Sequence, residues 1–217
     1  MIAAERRRKI LDEIAAAAKL ARREAAEVQL IAVSKTRSAE QIEELISAGQ
    51  RDFGESRVQE ALEKWPSLLA RHPGVRLHCI GRLQSNKAAE AVRLFDVIHS
   101  VDRPSLLDAL AKEAVKEARF PAVFVQVNIG DEEQKGGCPI GELGSLVEAV
   151  RSTPIPLAGL MAIPPLGVEA APFFALLAKL AEDHGVAGLS MGMSGDFKPA
   201  VMLGATAVRI GTALFEG

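Results

Sequence analysis

The chain of 217 residues is close to charge balance, with 26 basic and 28 acidic side chains and a formal net charge of −2. This length suits one hydrophobic core, and the lack of a long basic block gives no electrostatic support for a nucleic acid or membrane partner. No apolar run approaches the ~20 residues of a membrane span, and the cysteines and histidines show no metal-ligand spacing. We therefore expect a cytoplasmic, reduced and metal-free monomer with one domain over residues 1–217.

The chain begins with a helix and then enters the strand that carries its most informative lysine. Residues 3–26 are alanine-rich with apolar side chains at helical spacing, which predicts an extra N-terminal helix within residues 1–27. Residues 30–36 read LIAVSKT, a profile typical of a buried parallel strand. Side-chain alternation places Lys35 on the inward face, so its amine should be partly desolvated at the mouth of the sheet and available as a nucleophile. The alternative is a lysine that only extends its ammonium to solvent from a strand end.

Strands and helices alternate through the rest of the chain. Ser38 and Ser56 each stand three residues before a glutamine, a spacing typical of the capping boxes that start helices. The predicted strands cover residues 30–35, 52–55, 76–81, 97–101, 122–129, 157–163, 188–193 and 207–211, and the helices after the first strand begin near residues 38, 56, 86, 102, 139, 169 and 196.

Eight strands in alternation with helices favour an α/β fold with a closed parallel sheet, the single-domain (β/α)8 TIM barrel. The extra N-terminal helix would then stand in for the eighth helix, which the short segment after the last strand cannot supply. A doubly wound open sheet is the alternative. It would need a glycine-rich phosphate turn after the first strand, where the chain instead has Lys35-Thr36-Arg37.

Small polar residues follow the last two predicted strands. In (β/α)8 barrels the loops after strands seven and eight commonly bind phosphate. Ser194, Gly195, Gly211 and Thr212 supply hydroxyls and approachable backbone amides at these loops. The alternative is that these residues only form tight turns.

Arg209 should point into the barrel, because its neighbours in the last strand are apolar and would pack outward against helices. A buried guanidinium needs an acceptor. One candidate is a buried carboxylate, for which Glu55 is well placed, and the other is a ring nitrogen of a bound cofactor. An amine, a phosphate cradle and an inward arginine on one rim match the demands of pyridoxal 5′-phosphate (PLP).

Several motifs, in order from about Val28 to Phe215, resemble those of the pyridoxal phosphate homeostasis protein family. They are IAVSK at 31–35, FGE at 53–55, VQE at 58–60, HCIGRLQSNK at 78–87, GLM at 159–161, SMGMS at 190–194 and VRIG at 208–211. The resemblance implies a barrel related to the N-terminal domain of alanine racemase, the fold type III of PLP proteins. It also implies an internal aldimine on Lys35, Arg209 at the ring nitrogen, and phosphate contacts from Ser194, Gly211 and Thr212.

The chain departs from the family pattern beside the expected cofactor ring. The family usually has Phe-Gly-Glu-Asn-Tyr where this chain has Ser56 and Arg57 in the last two places. Ser56 then takes the position near the ring with a shorter reach. Leu77 and Cys79 replace the aromatic residues that usually flank His78, which we also expect at the cofactor.

The resemblance implies a carrier and regulator of vitamin B6 without established turnover, with PLP and PLP-requiring apo-enzymes as partners. Racemases of this fold use a tyrosine opposite the lysine and a second domain, and this chain contains no tyrosine. The first alternative is a PLP-dependent amino-acid racemase-like enzyme with another second base, such as His78 or Cys79. The second is a cofactor-free Schiff-base aldolase of the same barrel class. Lys87 and Lys135 are rival amines that we expect to be solvated.

Overall fold

The computed structural model describes residues 2–132 and 136–216, and its parallel strands close into one barrel. Each strand pairs with the next in the chain, and the last pairs with the first. The predicted (β/α)8 fold is therefore confirmed. The strands are β1 Gln29–Val33, β2 Asp52–Glu55, β3 Arg76–Cys79, β4 Val97–Val101, β5 Ala122–Gln126, β6 Leu157–Met161, β7 Leu189–Met193 and β8 Ala207–Ile210.

Helices surround the barrel because each carries an apolar stripe that packs on the strands. In the second helix, for example, Ile42, Leu45 and Ile46 are buried. The helices are α1 Ala3–Leu20, α2 Ala39–Ser47, α3 Val58–Arg71, α4 Ala88–Leu94, α5 Pro104–Glu117, α6 Leu143–Arg151, α7 Ala171–Asp183, α8 Phe197–Met202 and α9 Thr212–Phe215, with short 3-10 turns at 25–27, 85–87 and 140–142.

The N-terminal helix is shorter than predicted, since it ends at Leu20 and Arg22 adopts a left-handed conformation with φ 56°. α1 packs against α8 and α9, so it does occupy the place of the eighth helix. The Arg6 Nε atom donates to the Leu214 carbonyl at 2.7 Å, and Lys198 forms an ion pair with Glu13 at 2.8 Å.

The two predicted capping boxes have different outcomes. Ser38 caps α2, accepting from the Gln41 amide at 3.4 Å while Gln41 bonds back to the Ser38 amide. The capping box at Ser56 is wrong, because α3 starts one residue later with Arg57 as its N-cap and no side-chain cap. A Cβ on Gly81 would lie 2.2 Å from the Ser56 carbonyl oxygen, so this backbone is packed against the loop after β3. That contact keeps the chain extended past Ser56.

The barrel contains an unusual number of buried polar side chains, whereas barrel interiors are mostly filled by branched aliphatic residues. Ser34, Glu55, His78, His99, Ser190 and Arg209 are all at most 3% exposed. Cys79 and Cys138 are free and buried. Within residues 2–132 and 136–216, no helix is long and apolar enough to cross a membrane, and no group of three or more metal-ligating side chains is placed to hold a metal ion.

Candidate functional site

The three segments singled out in the sequence follow three adjacent strands. Arg209 on β8 is in register with Ile31 on β1 and with Met193 on β7. Because all strands are parallel, Lys35, the Gly211–Thr212 pair and the Ser194–Gly195 pair lie at the same end of the barrel. Their predicted convergence is confirmed, and their roles in binding remain predictions.

Lys35 lies just beyond β1, in a turn rather than at the end of the strand. β1 ends at Val33, Ser34 is buried, and Thr36 is left-handed with φ 62°. The Lys35 side chain is exposed, so the expectation that it is partly desolvated is wrong. The turn leaves the ladder early, at the carboxyl end of β1.

A cluster of charged side chains on β2 and α3 holds the residues on both sides of Lys35. We call Glu55, Glu60 and Lys64 the lysine-turn clamp. The Ser34 hydroxyl donates to Glu55 Oε1 at 2.8 Å, and Lys64 Nζ donates to the Ser34 carbonyl at 2.9 Å. The Thr36 amide donates to Glu60 Oε1 at 2.6 Å. The backbone on both sides of Lys35 is therefore held by hydrogen bonds, while the Lys35 side chain is exposed.

Within the clamp, burial acts to raise the pKa of Glu60. The bond from the Thr36 amide and the nearby Lys64 ammonium act to lower it, and together they outweigh burial, so the pKa of Glu60 lies below its usual value. Glu55 is fully buried, and its Oε1 atom also accepts from Trp65 Nε1 and Lys64 Nζ, each at 2.8 Å. Sequence reasoning included Glu60 only as part of the VQE motif, with no role assigned, and missed Lys64. Their spacing of four on a helix after a strand is a weak signal, since it is equally typical of surface ion pairs.

Arg209 is buried at 3% exposure without a carboxylate bonded to it among the described residues. Its Nη1 donates to Ser190 Oγ at 2.6 Å and its Nη2 to the Ala162 carbonyl at 3.1 Å. Burial lowers the pKa of Arg209 to about 10, against a weaker opposing effect of Asp196. Glu55, the candidate protein partner, is instead engaged by the lysine-turn residues. A guanidinium has five N–H donors, so an acceptor such as a ring nitrogen fits this site.

His78 has both ring nitrogens engaged by the protein. Its Nδ1 lies 3.0 Å from His99 Nε2, and its Nε2 lies 3.2 Å from Asp52 Oδ1. Both ring nitrogens are bonded to protein side chains, and the expectation that His78 lies at the cofactor stays a prediction. Burial raises the pKa of the Cys79 thiol to about 12, which also removes Cys79 as a base near neutral pH.

The predicted phosphate cradle consists of two exposed turns. Ser194 and Gly195 precede α8, and Thr212 opens α9. The Ser194 and Thr212 hydroxyls make no hydrogen bond to the residues that the structure describes, and a Cβ added to Gly195 would meet nothing within 4 Å. These hydroxyls and the open space suit an anionic oxygen ligand. Asp196, which sequence reasoning did not assign, accepts from the Met193 amide at 2.6 Å and shapes the first turn.

Ser56 lines a separate part of the mouth, a cavity of about 660 Å³ shared with Arg57, Arg82 and Arg103. Lys87 also lines this cavity and pairs with Glu90 at 3.2 Å. Lys87 is half-buried, so the expectation that it is solvated is only partly met. Lys135, the other rival amine, lies outside the described residues.

The barrel, with a lysine turn after β1 and an inward arginine on β8, is a protein of the alanine racemase N-terminal class, whose family model matches residues 10–217. A relative from Pseudomonas aeruginosa PAO1 is 44% identical over 98% of this chain and 94% of its own length, and one from Escherichia coli K12 is 39% identical over 95% and 92%. Both are named pyridoxal phosphate homeostasis protein, and the chain belongs to that family.

A solved structure resembles this chain over most of its length. PipY of Synechococcus elongatus PCC7942, determined with PLP bound, has a TM-score of 0.80 at 40% identity and covers 93% of this chain and 99% of its own. The resemblance to the pyridoxal phosphate homeostasis family is thus confirmed.

Proposed function

We propose that this protein binds PLP at the Lys35 end of the barrel, as a Schiff base on Lys35 Nζ, and holds it without catalytic turnover for intracellular vitamin B6 homeostasis. The observation that carries the proposal is the buried Arg209 guanidinium, which has hydrogen bonds only to a hydroxyl and a carbonyl among the described residues. It lies on the strand between those that lead to Lys35 and to Ser194. Family membership supports the choice of ligand.

Each part of the site then has one task. The lysine-turn clamp fixes the backbone on either side of Lys35, Arg209 donates to the pyridine nitrogen, and Ser194, Gly195, Gly211 and Thr212 bind the phosphate. Ser56 borders the ring from the β2 side. When bound, PLP supplies an aldehyde that captures amines and a ring that withdraws electrons from them.

Arg209 also favours holding the cofactor over catalysis. With a pKa of about 10 it keeps its proton at neutral pH, so it donates a hydrogen bond to the ring nitrogen without protonating it. An unprotonated ring is a weaker electron sink. The protein would then release PLP to apo-enzymes that require it. The direct experiment is titration of the purified protein with PLP, which should produce a visible absorption band that borohydride removes, whereas no band at saturation would refute the proposal.

Replacing Thr212 with alanine should weaken PLP binding roughly ten- to a hundredfold, because a hydrogen bond to a charged group contributes about 1.5–3 kcal/mol. Pyridoxal, which lacks the phosphate, should bind weakly to the native protein and be insensitive to Thr212→Ala. Ser67→Ala is the matched control, since Ser67 is an exposed serine on α3 away from the cradle. Equal PLP affinity in Thr212→Ala and the control would mean that the cradle is misplaced.

With PLP bound, the protein should not racemise or transaminate amino acids at enzyme-like rates. Inversion needs a base and a donor on opposite faces of the substrate. The chain has no tyrosine, Cys79 is held as a thiol, and the His78 nitrogens are engaged. Incubation with L-alanine in deuterated water should give exchange close to that of free PLP, measured by NMR with a chiral assay. A rate near the ~1–10³ s⁻¹ of typical enzymes would favour the racemase-like alternative.

A further inference from the structure

A continuous line of hydrogen bonds runs from Arg209 through the barrel to the amino end of β2. Arg209 Nη1 lies 2.6 Å from Ser190 Oγ, and that oxygen lies 2.8 Å from His99 Nδ1. His99 Nε2 lies 3.0 Å from His78 Nδ1, and His78 Nε2 lies 3.2 Å from Asp52 Oδ1. Ser190, His99 and His78 are at most 1% exposed. The line crosses the barrel interior and involves β8, β7, β4, β3 and β2 in turn.

Packing holds the two imidazoles in place. The His99 ring stacks on Phe124, with ring centroids 4.5 Å apart and an interplanar angle of 13°. Desolvation lowers the pKa of His99 well below its usual value, and the nearby Arg209 guanidinium acts in the same direction. His99 is therefore neutral near pH 7 and carries one N–H.

The state of Asp52 determines which way the bonds run. Burial raises the pKa of Asp52, but hydrogen bonds from His78 and Arg76 outweigh this, so its pKa lies below the usual value. The ionised carboxylate can only accept, so His78 Nε2 must carry a proton. With this one proton on the ring, His78 Nδ1 accepts from His99 Nε2–H, and His99 Nδ1 accepts the Ser190 hydroxyl proton. The lone pairs of Ser190 remain for Arg209, and every polar atom in the line has its partner.

The opposite direction leaves a defect. If His99 Nδ1 donated to Ser190, His99 Nε2 would have to accept from His78 Nδ1–H. His78 would then need a second proton to satisfy Asp52, which places a cation in the barrel interior alongside Arg209. The Ser190 hydroxyl would also lose its acceptor, because its two partners would both be donors.

We propose that Ser190, His99, His78 and Asp52 form a one-directional hydrogen-bond relay that positions the Arg209 guanidinium for the cofactor ring nitrogen. Both histidines are positioning residues held as neutral Nε2–H tautomers, and Asp52 sets the direction of the relay from the far end of the barrel. The role toward the ring nitrogen rests on the proposed function, whereas the relay itself does not.

The relay is tested first without PLP, by ¹⁵N NMR of the histidine-labelled protein. His78 and His99 should both give neutral Nε2–H signals with slowly exchanging protons, while the more exposed His72 and His184 serve as internal references. An imidazolium at either buried position, or an Nδ1–H tautomer, would overturn the relay whatever the protein binds.

The second test measures PLP affinity in variants at the far end of the relay. Asp52→Ala should weaken PLP binding roughly two- to tenfold, less than the loss of a direct bond to a charged group, because Asp52 acts on the cofactor only through the relay. Asp52→Asn keeps an acceptor for His78 and should recover most of the loss, which also guards against misfolding of the alanine variant. Arg76→Ala is the matched control: it removes the Arg76–Asp52 pair at 2.8 Å but leaves the His78–Asp52 bond, which also lowers the pKa of Asp52, so the carboxylate stays ionised and the variant should bind PLP like the native protein.

The same NMR signals connect the two tests. PLP should shift the His99 resonance in the native protein and leave it unchanged in Ser190→Ala, where the relay is cut next to Arg209. If Asp52→Ala binds PLP as tightly as Arg76→Ala, or if Ser190→Ala keeps the His99 shift, the positioning role is wrong. Failure of the native protein to bind PLP would instead refute the proposed function, and the tautomer measurement would still decide the relay.

Discussion

Lys35→Ala should abolish the visible absorption band that PLP gives with this protein and remove the covalent adduct that borohydride traps. Lys35 follows β1, which pairs with the strand that carries Arg209. The residues on either side of Lys35 are held by the lysine-turn clamp. Non-covalent binding through Arg209 and the phosphate cradle should survive in part. Loss of the band should therefore be complete, whereas PLP retention measured by equilibrium dialysis should only be reduced.

The matched control is Lys87→Ala, which removes an amine from the same mouth of the barrel. Lys87 pairs with Glu90 at 3.2 Å, and its variant should keep both the band and the adduct. Peptide mapping of the reduced native protein should locate the adduct on Lys35. An adduct on Lys87 or Lys135 would show that the amine has been assigned to the wrong residue.

Lys64→Met should destabilise the protein by about 3–5 kcal/mol, the cost of leaving a buried charge without its partner. Glu55 is fully buried, its Oε1 atom accepts from Lys64 at 2.8 Å, and its Oε2 atom has no hydrogen-bond partner within residues 2–132 and 136–216. For a domain of this size the midpoint of thermal unfolding should fall by roughly 6–20 °C. Urea unfolding of the PLP-free protein gives the free energy directly.

Lys87→Met serves as the control for this effect too, since its ion pair with Glu90 is partly exposed and should contribute less than about 1 kcal/mol. The double variant Glu55→Gln/Lys64→Met removes both charges and should recover much of the lost stability. If Lys64→Met unfolds at the same urea concentration as the control, Ser34 and Trp65 alone must satisfy Glu55, and the clamp would be weaker than its geometry suggests.

The fold was predictable because strand and helix periodicities are local properties of the chain. The prediction that the Lys35, Ser194 and Thr212 loops lie at the same end of the barrel was correct for a related reason: the carboxyl ends of parallel strands share one edge of the barrel. The turn at Lys35 could not be predicted, since the strand ends early where Ser34 bonds to Glu55, a residue 21 positions away. The Ser56 capping box failed because the close approach of Gly81 outweighed a favourable local pattern.

The role of His78 shows a different limit. Its motif resembles that of the family, which placed it near the cofactor, but its partners His99 and Asp52 lie 21 and 26 residues away. Ser190 is 91 residues from His99. Only the strand order and register bring these side chains together inside the barrel, so nothing local indicates that they form one line.

The packing of α1 against α8 and α9 has a consequence for when the binding site forms. α8 and α9 have six and four residues, too few to be stable as helices on their own. They carry the turns with Ser194 and Thr212, and α1 ties them down through Arg6 and Glu13. Under the proposed function, the PLP site would therefore be complete only after the last strand has been synthesised and α1 has packed against α8 and α9.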